Sequence, residues 1–437
     1  MTLLPSLPVA CPKGPQSLPE GGDGRSATSS RRSSADTVVD SFGDLGEVSW
    51  PKIPGKAPRL PPCPSLPLPD DLRISCFTDA SYRRYLLSST IKRGSYGKLK
   101  YALPIDDIAA SFAVKELRLA PCQQRPGKDP YLSRDQRPRT AVTPSANVRM
   151  EWRMGQRFGG PFAPRHGVIL DKRAYFFCNL AADTLAGVMH TEVAAPRRAL
   201  LARYVAREVG GKLLTMCQKG ALHLDVSPAN ILMQKHPPYA ALADFGTAQA
   251  VARAPWPFGE ASTYCAPEAI LQDADITSQS DLWSLGATLL TVLQPPPTAM
   301  LACVLGERDL LDREQTALML RDFFDARAGT PTKHSRPIIQ WLQRCRAVDG
   351  PLTTLLLETV QVLQESRSTV AEFLQALQGL PPLPLFPDVD RAMDALAQNM
   401  VDTHKSSAAY IAMNGLRMWL HERERPKVRA PLAPQAA

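Results

Sequence analysis

Acidic and amide side chains lie close together in two short runs near the middle of the chain. Asp225 and Asn230 are five residues apart in the run His-Leu-Asp-Val-Ser-Pro-Ala-Asn, and Asp244 opens the run Asp-Phe-Gly. One carboxylate can accept a hydroxyl proton, while the amide and the second carboxylate supply oxygen ligands for Mg²⁺. Taken singly, such an Asp can also cap a turn or end a strand. Together, the two runs favour phosphoryl-transfer chemistry.

Two glycines, Gly94 and Gly97, lie upstream between two strand-like runs. Their backbone N–H groups could approach phosphate oxygens without hindrance from a Cβ atom. Eighteen residues after Gly97, the run Phe-Ala-Val-Lys ending at Lys115 predicts a strand that presents one ammonium group. Such a group can hold two phosphates of a nucleotide. Taken alone, the two glycines indicate only a turn. The lysine alone indicates only a charged residue at a strand edge, where it favours solubility. The candidate nucleotide loop comprises Ile91, Lys92, Arg93, Gly94, Ser95, Tyr96, Gly97, Lys98 and Leu99.

Two further motifs follow in a characteristic order. Tyr-Cys-Ala-Pro-Glu ends at Glu268, and Ser-Asp-Leu-Trp-Ser-Leu-Gly contains Asp281. With these, the chain resembles the eukaryotic-type protein kinases over residues 86–380. The resemblance implies an α+β fold of two lobes, β-rich over 86–180 and helical over 181–380, with ATP and Mg²⁺ bound between them.

The resemblance also implies a role for each motif residue. The glycine-rich loop would cover ATP, Lys115 would hold its α- and β-phosphates, and Asp225 would be the catalytic base. Asn230 and Asp244 would bind Mg²⁺ and so belong to the nucleotide site. Further contacts would support this site: Phe245 against His223, Glu268 with Arg367, and Asp281 with the backbone of the catalytic loop.

The acidic partner of Lys115 is inferred by elimination. Three acidic residues lie between positions 116 and 171, and two of them, Asp129 and Asp135, fall in a Pro/Arg/Gln-rich insertion. Glu151 lies in the helical run 148–158 and is therefore the predicted partner, counted with Lys115 and Asp225 as catalytic. The alternative is an exposed charge on a helix.

Four departures from the family pattern carry information. Lys92 stands at the first glycine of the loop and adds positive charge there. Leu224 replaces the usual Arg beside the catalytic Asp, so a phosphate on the activation segment would lack its customary partner. Ser227 replaces a Lys that contacts the γ-phosphate, and Ala229 replaces a Glu that is frequent in Arg-directed kinases.

These departures and the Ala/Arg/Pro-rich composition are similar to the serine/threonine kinases encoded by herpesviruses, in particular the alphaherpesvirus tegument kinases. That resemblance implies autophosphorylation and phosphorylation of viral and host proteins. It also implies a place in the virion tegument and in the nucleus and cytoplasm of the host cell. The expected partners are protein substrates, with no direct binding of nucleic acid and no membrane association.

Two other functions remain open from the sequence. A pseudokinase scaffold would bind partners in the same fold without phosphoryl transfer, and Lys92 and Ser227 favour it. The complete set of Lys115, Asp225, Asn230 and Asp244 opposes that interpretation. A small-molecule kinase would share the acidic core, but the Ala-Pro-Glu motif is typical of protein kinases.

The rest of the chain suggests flanking segments. The protein has 437 residues and a formal net charge of +9, too small an excess to indicate a nucleic-acid-coating protein. Residues 1–70 are rich in Pro, Ser and Gly and are expected to be disordered. No secretory signal or membrane span is expected. The nine cysteines lack metal-binding spacing and indicate a reducing compartment. A helical appendage is expected over 389–424, with apolar positions at Met393, Leu396, Met400, Ile411, Leu416 and Leu420.

Overall fold

The computed structural model describes parts of the chain from both halves of the sequence. The described residues are 52–53, 75–78, 84–88, 90–93, 97–104, 107, 110–118, 144–170, 173–190, 194–250, 264–271, 275–295, 336–361, 363–398, 410–411 and 413–418. Among them, no helix is both long enough and apolar enough to cross a membrane.

An eight-stranded sheet forms the N-terminal lobe. Its strands are β1 (Lys52–Ile53), β2 (Ser75–Thr78), β3 (Arg84–Leu87), β4 (Lys92–Arg93), β5 (Gly97–Pro104), β6 (Phe112–Arg118), β7 (His166–Leu170) and β8 (Arg173–Asn179). The strand order is β1-β7-β8-β6-β5-β3-β2, and β4 pairs with β5. The β1–β7 pair is parallel, and the other pairs are antiparallel.

The central strands of this sheet are buried on both faces, which explains their richness in aromatic and aliphatic residues. Val114 and Phe177 are directly paired and belong to an apolar cluster on one face. On the other face, Leu117 and Phe176 pack against Val148 of the helix α1 (Pro144–Phe158). The helix predicted over 148–158 is therefore present and lies on the face that also carries Lys115.

The C-terminal lobe is predominantly helical. Its helices are α2 (Leu185–His190), α3 (Ala195–Gln218), α4 (Pro267–Leu271), α5 (Ser278–Leu293), α6 (Arg336–Thr359), α7 (Val370–Gln378) and α8 (Val389–Gln398). Its short strands are β9 (Asp183–Thr184), β10 (Ala221–Leu222), β11 (Ile231–Lys235), β12 (Pro238–Leu242) and β13 (Gln249–Ala250). Together they give the two-lobed α+β arrangement expected from the sequence.

Two helices position the central loop of this lobe. Helix α3 stops just before Gly220, which has a φ of 68° and turns the chain into β10. Helix α5 is surrounded by other parts of the protein, since all its residues from Ser280 to Leu293 are buried. Thr277 caps α5 in a reciprocal pair of hydrogen bonds with Ser280. Asp281 is thereby fixed in the first turn of a buried helix.

The flanking segments predicted from the sequence are described in part. Within residues 1–70 the described residues are Lys52–Ile53, which pair with Ile169 and Leu170 of β7. Helix α8 and the helical residues 410–411 and 413–418 fall within the predicted appendage. Met400 and Leu420 lie outside the described residues.

Candidate active site

Lys115 forms ion pairs with carboxylates from both lobes. Its place in β6 lies opposite Leu99 of β5 and Phe176 of β8. The Lys115 Nζ atom is 2.8 Å from Glu151 Oε1 and 2.7 Å from Asp244 Oδ1. The structure therefore brings together one residue from the sheet, one from α1 and one from the C-terminal lobe, including the glutamate chosen by elimination.

The three charges influence one another because both carboxylates lie within 3 Å of the Lys115 ammonium group in a largely shielded site. Burial disfavours the charged form of Lys115, but the carboxylates of Asp244 and Glu151 outweigh it and raise the pKa of Lys115. Burial acts on Asp244 too, and the ammonium group prevails and lowers the pKa of that carboxyl. Burial, together with the charge of Asp244, raises the pKa of Glu151 to about 7 against the attraction of Lys115. A charged ammonium group is thus held at the site.

Asp225 and Asn230 form a second contact within one loop. The Asn230 Nδ2 atom donates to Asp225 Oδ2 at 2.7 Å and to the Asp225 backbone carbonyl at 3.0 Å. Since the amide nitrogen is used in this way, the amide oxygen of Asn230 is directed elsewhere. The neighbouring Ala243 N–H donates to the Asn230 carbonyl at 2.9 Å, which links this loop to the segment that carries Asp244.

Asp281 fixes the backbone at the beginning of the Asp225 loop. Its Oδ2 accepts from the His223 N–H and its Oδ1 from the Leu224 N–H, both at 2.7 Å. Burial raises the pKa of Asp281 to about 6, although the two backbone hydrogen bonds act to lower it. The predicted contact of Asp281 with the catalytic-loop backbone is present.

His223 uses both ring nitrogens in the neutral state. Its Nδ1 accepts from the Asp225 N–H at 3.3 Å, so its Nε2 is the protonated nitrogen that donates to the Ala243 carbonyl at 3.2 Å. Burial lowers the pKa of His223 to about 4. The ring also meets Phe245 with centroids 5.0 Å apart, as the sequence predicts. This imidazole joins the Asp225 loop to the Asp-Phe-Gly segment.

The Asp-Phe-Gly segment has an unusual backbone. Asp244 has a φ of 62°, a left-handed conformation that is uncommon for residues other than glycine. The tight turn Phe245–Thr247 follows, and Thr247 Oγ1 donates to the His223 carbonyl at 3.0 Å. These contacts hold the Asp244 carboxylate toward Lys115.

A buried ion pair supports the region behind the loop. Arg367 donates to both oxygens of Glu268, with distances of 2.7 and 2.8 Å. Both side chains are almost fully buried, at 0% and 4% exposure. Ser280 Oγ also donates to Glu268, and the Arg367 guanidinium lies 4.9 Å from the Trp283 ring. The predicted pair is present, and its hydroxyl and aromatic supports were not identified from the sequence.

The hairpin of β4 and β5 frames the candidate nucleotide loop. Lys92 is paired with Leu99 and Arg93 with Lys98, while Gly94, Ser95 and Tyr96 lie outside the described residues. A Cβ atom at Gly97 would come within 2.5 Å of the Glu116 carbonyl, so glycine alone fits there. The predicted loop thus starts and ends on adjacent strands, next to the strand of Lys115.

Asn230 and Asp244 have the chemistry that a divalent cation requires. Hard cations such as Mg²⁺ prefer carboxylate and amide oxygens. The Asp244 side chain is 33% exposed, and one of its two oxygens contacts Lys115. Because Asn230 donates through its nitrogen to Asp225, its oxygen remains the ligand atom. The two residues fit a metal ion that also binds nucleotide phosphates.

A second group missed from the sequence surrounds Leu224. This side chain is buried in a cluster with Leu222, Cys265, Ala269 and Ile276. The apolar character of these positions is visible in the sequence, but they come from three separate segments. Only the folded arrangement shows that the loop beside Asp225 is packed against the segment containing the Ala-Pro-Glu motif.

Comparison with known families shows what this part of the chain resembles. Residues 160–376, just under half of the chain, match the family model of the protein kinase domain. Together with the two lobes described above, this match shows the protein kinase fold. The match includes Asp225, Asn230 and Asp244, and it begins after α1. The use of ATP and a divalent metal is a general property of such domains.

Characterised proteins with similar segments include two that are named as kinases. The chain is 40% identical over 88 residues to "Cyclin-dependent kinase F-4" of Oryza sativa subsp. japonica, which covers 20% of this chain and 18% of that protein. It is 39% identical over 85 residues to "Serine/threonine-protein kinase pakE" of Dictyostelium discoideum, covering 18% and 9%. It is 35% identical over 88 residues to "Muscle M-line assembly protein unc-89" of Caenorhabditis elegans, covering 20% and 1%. The chain therefore spans less than a fifth of each relative.

Proposed function

We propose that the protein transfers the γ-phosphoryl group of ATP, with Mg²⁺, to serine and threonine hydroxyls of proteins, including its own. The single observation that carries this proposal is the triad of Lys115, Glu151 and Asp244, whose aspartate lies in the segment similar to the protein kinase domain. The triad joins the two lobes, and its lysine lies on the strand paired with the end of the candidate nucleotide loop.

Each residue of the site has a defined task in this reaction. Lys115 holds the α- and β-phosphates, and Glu151 keeps its ammonium group in place. Asp244 and the amide oxygen of Asn230 hold the metal ion. When bound, the metal neutralises charge on the phosphates as the phosphoryl group transfers. Asp225 orients the substrate hydroxyl and accepts its proton at a carboxylate oxygen.

The support for a protein substrate comes from the region around Glu268. The Glu268–Arg367 pair, with Ser280 and Gln364, makes a rigid hydrogen-bonded base that joins α4 to α5. A substrate peptide has to be placed against such a base so that its hydroxyl reaches Asp225. The serine/threonine preference rests on the resemblance of the motifs and on the name of the pakE relative.

We further propose that the protein is a viral kinase of the herpesvirus type, carried in the virion tegument and acting in the nucleus and cytoplasm of the host cell. The support is the run from His223 to Asn230 together with the departures at Lys92, Leu224 and Ser227. Viral and host proteins would be its substrates.

One experiment tests activity, hydroxyl preference and sequence context together. A complex peptide mixture is incubated with ATP and Mg²⁺ and either the wild-type protein or Asp225→Asn, and phosphopeptides are identified by mass spectrometry. We expect phosphoserine and phosphothreonine with the wild type alone. Equal phosphopeptide yields from the two proteins would contradict the proposal.

A pseudokinase scaffold is the second candidate, and Lys92 and Ser227 are the residues that favour it. The same experiment separates the two functions, because a scaffold yields no phosphopeptides while still folding and binding a partner. Binding of ATP and Mg²⁺ without turnover would favour the scaffold.

A further inference from the structure

The C-terminal end of the described chain is seated on the N-terminal lobe. Residues 410–411 and 413–418 are helical. The ring of Tyr410 meets the ring of Tyr101 in β5 edge-on, with centroids 5.8 Å apart. Met413 and Leu416 are only 4% and 6% exposed. A short helix with an aromatic contact and two buried apolar side chains is a docked segment.

Hydrogen bonds from one arginine complete this docking. Arg417 Nη2 donates to Ser111 Oγ at 3.0 Å and to the Ala110 carbonyl at 3.5 Å. Arg417 Nη1 also donates to Asn414 Oδ1 at 3.3 Å, which steadies the guanidinium on its own helix. The receiving surface on the N-terminal lobe therefore consists of Tyr101, Ala110 and Ser111.

The segment just before it is attached to the other lobe. Met393 and Ala397 of α8 are completely buried in the core of the C-terminal lobe. Arg207 of α3 donates to both carboxylate oxygens of Asp390. Thus α8 lies on the helix that leads into the Asp225 loop.

The docking surface is next to the place where the chain passes between lobes. Ser111 directly precedes β6, the strand that carries Lys115. Phe112, the first residue of β6, is paired with Asn179, the last residue of β8. After Asn179 the chain enters the C-terminal lobe, where the Ala182 N–H donates to the Met233 carbonyl. A contact at Ser111 therefore acts close to the pivot of the two lobes.

We propose that α8 and the helical residues 410–411 and 413–418 act as an interlobe strap, in which α8 is fixed to the C-terminal lobe and the later helical residues dock on the surface of Tyr101, Ala110 and Ser111. The strap limits separation of the lobes and so favours the arrangement in which Lys115 reaches Asp244. This inference goes beyond phosphoryl transfer and holds whether the domain is an active enzyme or a scaffold.

Because the two docked parts belong to one chain, modest contacts are sufficient to keep the second part docked. Residues 399–409 join the two docked parts, so the second contact forms within one molecule and benefits from a high effective concentration. Loss of a hydrogen-bonded arginine at such a contact is expected to change the docked population about tenfold. That is large enough to measure as a change in the spacing of the lobes.

The first experiment measures the distance between the lobes in the full-length protein. Nitroxide side chains are introduced by an unnatural amino acid at two exposed positions, Arg149 in α1 and Glu358 in α6. Their distance distribution is recorded by pulsed electron resonance. We expect Tyr410→Ala and Arg417→Ala to shift the distribution to longer and broader distances. The matched controls Ile411→Ala and Met418→Ala, on the same helix but 59% and 64% exposed, should leave it unchanged.

The second experiment releases the opposite end of the strap. Asp390→Lys places a like charge against Arg207. If hydrogen exchange shows that α8 is still protected in this variant, Met393→Asp is used instead to remove the buried anchor of α8. A strap predicts the same shift as Arg417→Ala, and no additional shift when the two changes are combined.

The outcomes are distinct. If only the changes at the Arg417 end shifted the distance distribution, the contact would be local packing and the strap would be overturned. Unchanged distances after release of either end would overturn it too. Because lobe spacing is read without any phosphoryl transfer, an inactive protein that shows the expected shifts would refute the proposed function and leave the strap intact.

Discussion

Leu224 and Asp281 are joined through the backbone, since the Leu224 N–H donates to Asp281 Oδ1 at 2.7 Å. This bond holds Leu224 at a φ of 65°, a conformation that costs a residue with a side chain about 1 kcal/mol or more. The side chain is meanwhile 3% exposed and packs with Cys265, Ala269 and Ile276. An apolar contact thus connects the Asp225 loop to the segment that ends at α4.

This contact predicts activity without phosphorylation of the activation segment. An Arg at position 224 would be an uncompensated charge until a phosphate neutralised it, whereas Leu needs no such partner. Thr247 is itself 8% exposed and donates to the His223 carbonyl, so it is a poor phosphate acceptor. We expect protein treated with phosphatase to retain most of its activity on a peptide substrate.

Substitution at the same position provides the control. Leu224→Arg should lower activity or make it dependent on phosphorylation, because a charge next to Asp225 shifts its protonation and disturbs the loop. Leu224→Met keeps the apolar volume and should behave like the wild type. Three hydroxyl residues of the activation segment, which runs from Asp244 to Glu268, are Thr247, Ser262 and Thr263. A wild-type protein that is inactivated by phosphatase and restored by phosphorylation of one of them would contradict this prediction.

Removal of the Asp225 carboxylate should separate chemistry from binding. Asp225→Asn keeps the shape and can still accept the Asn230 hydrogen bond, but it cannot take the substrate proton. Turnover should fall by about 10²-fold to 10⁴-fold, while ATP affinity stays nearly constant. Asp244→Ala should instead lose Mg²⁺-dependent nucleotide binding, measured by titration calorimetry. Similar turnover in Asp225→Asn and the wild type would remove Asp225 from the catalytic role.

Loss of one partner of the Glu268–Arg367 pair should be far more costly than loss of both. Arg367→Met leaves a buried carboxylate with Ser280 and Gln364 as its remaining hydrogen-bond donors. The free energy of unfolding should fall by about 3–5 kcal/mol, as measured by urea denaturation. The double variant Glu268→Gln with Arg367→Met should regain a large part of this loss. A double variant no more stable than the single one would show that packing around Trp283 matters more than charge.

The motifs predicted which residues come together at the site, because the spacing of the residues within each motif is fixed by the sequence. The order of Lys115, Asp225 and Asp244 along the chain is a property of the sequence, and Glu151 followed from the scarcity of acidic residues before β7. Helix α1 was also predicted, from the helical run 148–158. These features depend on interactions that are short in sequence or encoded in one motif.

Contacts between segments that are distant in the sequence were harder to predict. The apolar spacing in the appendage predicted Ile411 as a core-facing residue, yet it is 59% exposed and Met413 is buried in its place. The pairing of Lys52–Ile53 with β7 joins residues more than a hundred positions apart. Which face of a short helix is covered depends on where its partner surface lies, and no local pattern specifies that surface.

His223 should make stability depend on pH. In the unfolded chain it titrates near its ordinary value of 6.5, whereas burial lowers its pKa to about 4 in the folded protein. Protonation would also place an N–H at Nδ1 against the Asp225 N–H that this atom now accepts. Between these two pKa values the unfolded chain binds the proton and the folded one does not. The stabilising contribution is therefore complete above pH 6.5 and is lost as the pH falls toward 4.

The size of this effect can be isolated by difference. From about pH 7.5 to about pH 5, the titration of this one group should remove about 2 kcal/mol of the free energy of unfolding. Glu151 and Asp281, with pKa values of about 7 and about 6, titrate in the same range, but both are shared with a variant that lacks the imidazole. Urea denaturation of the wild type and His223→Gln at both pH values gives the difference directly. We expect the variant to be less stable at the higher pH and to lose about 2 kcal/mol less on acidification. Equal losses in the two proteins would mean that the pKa of His223 is the same in the folded and unfolded states, and the prediction would be wrong.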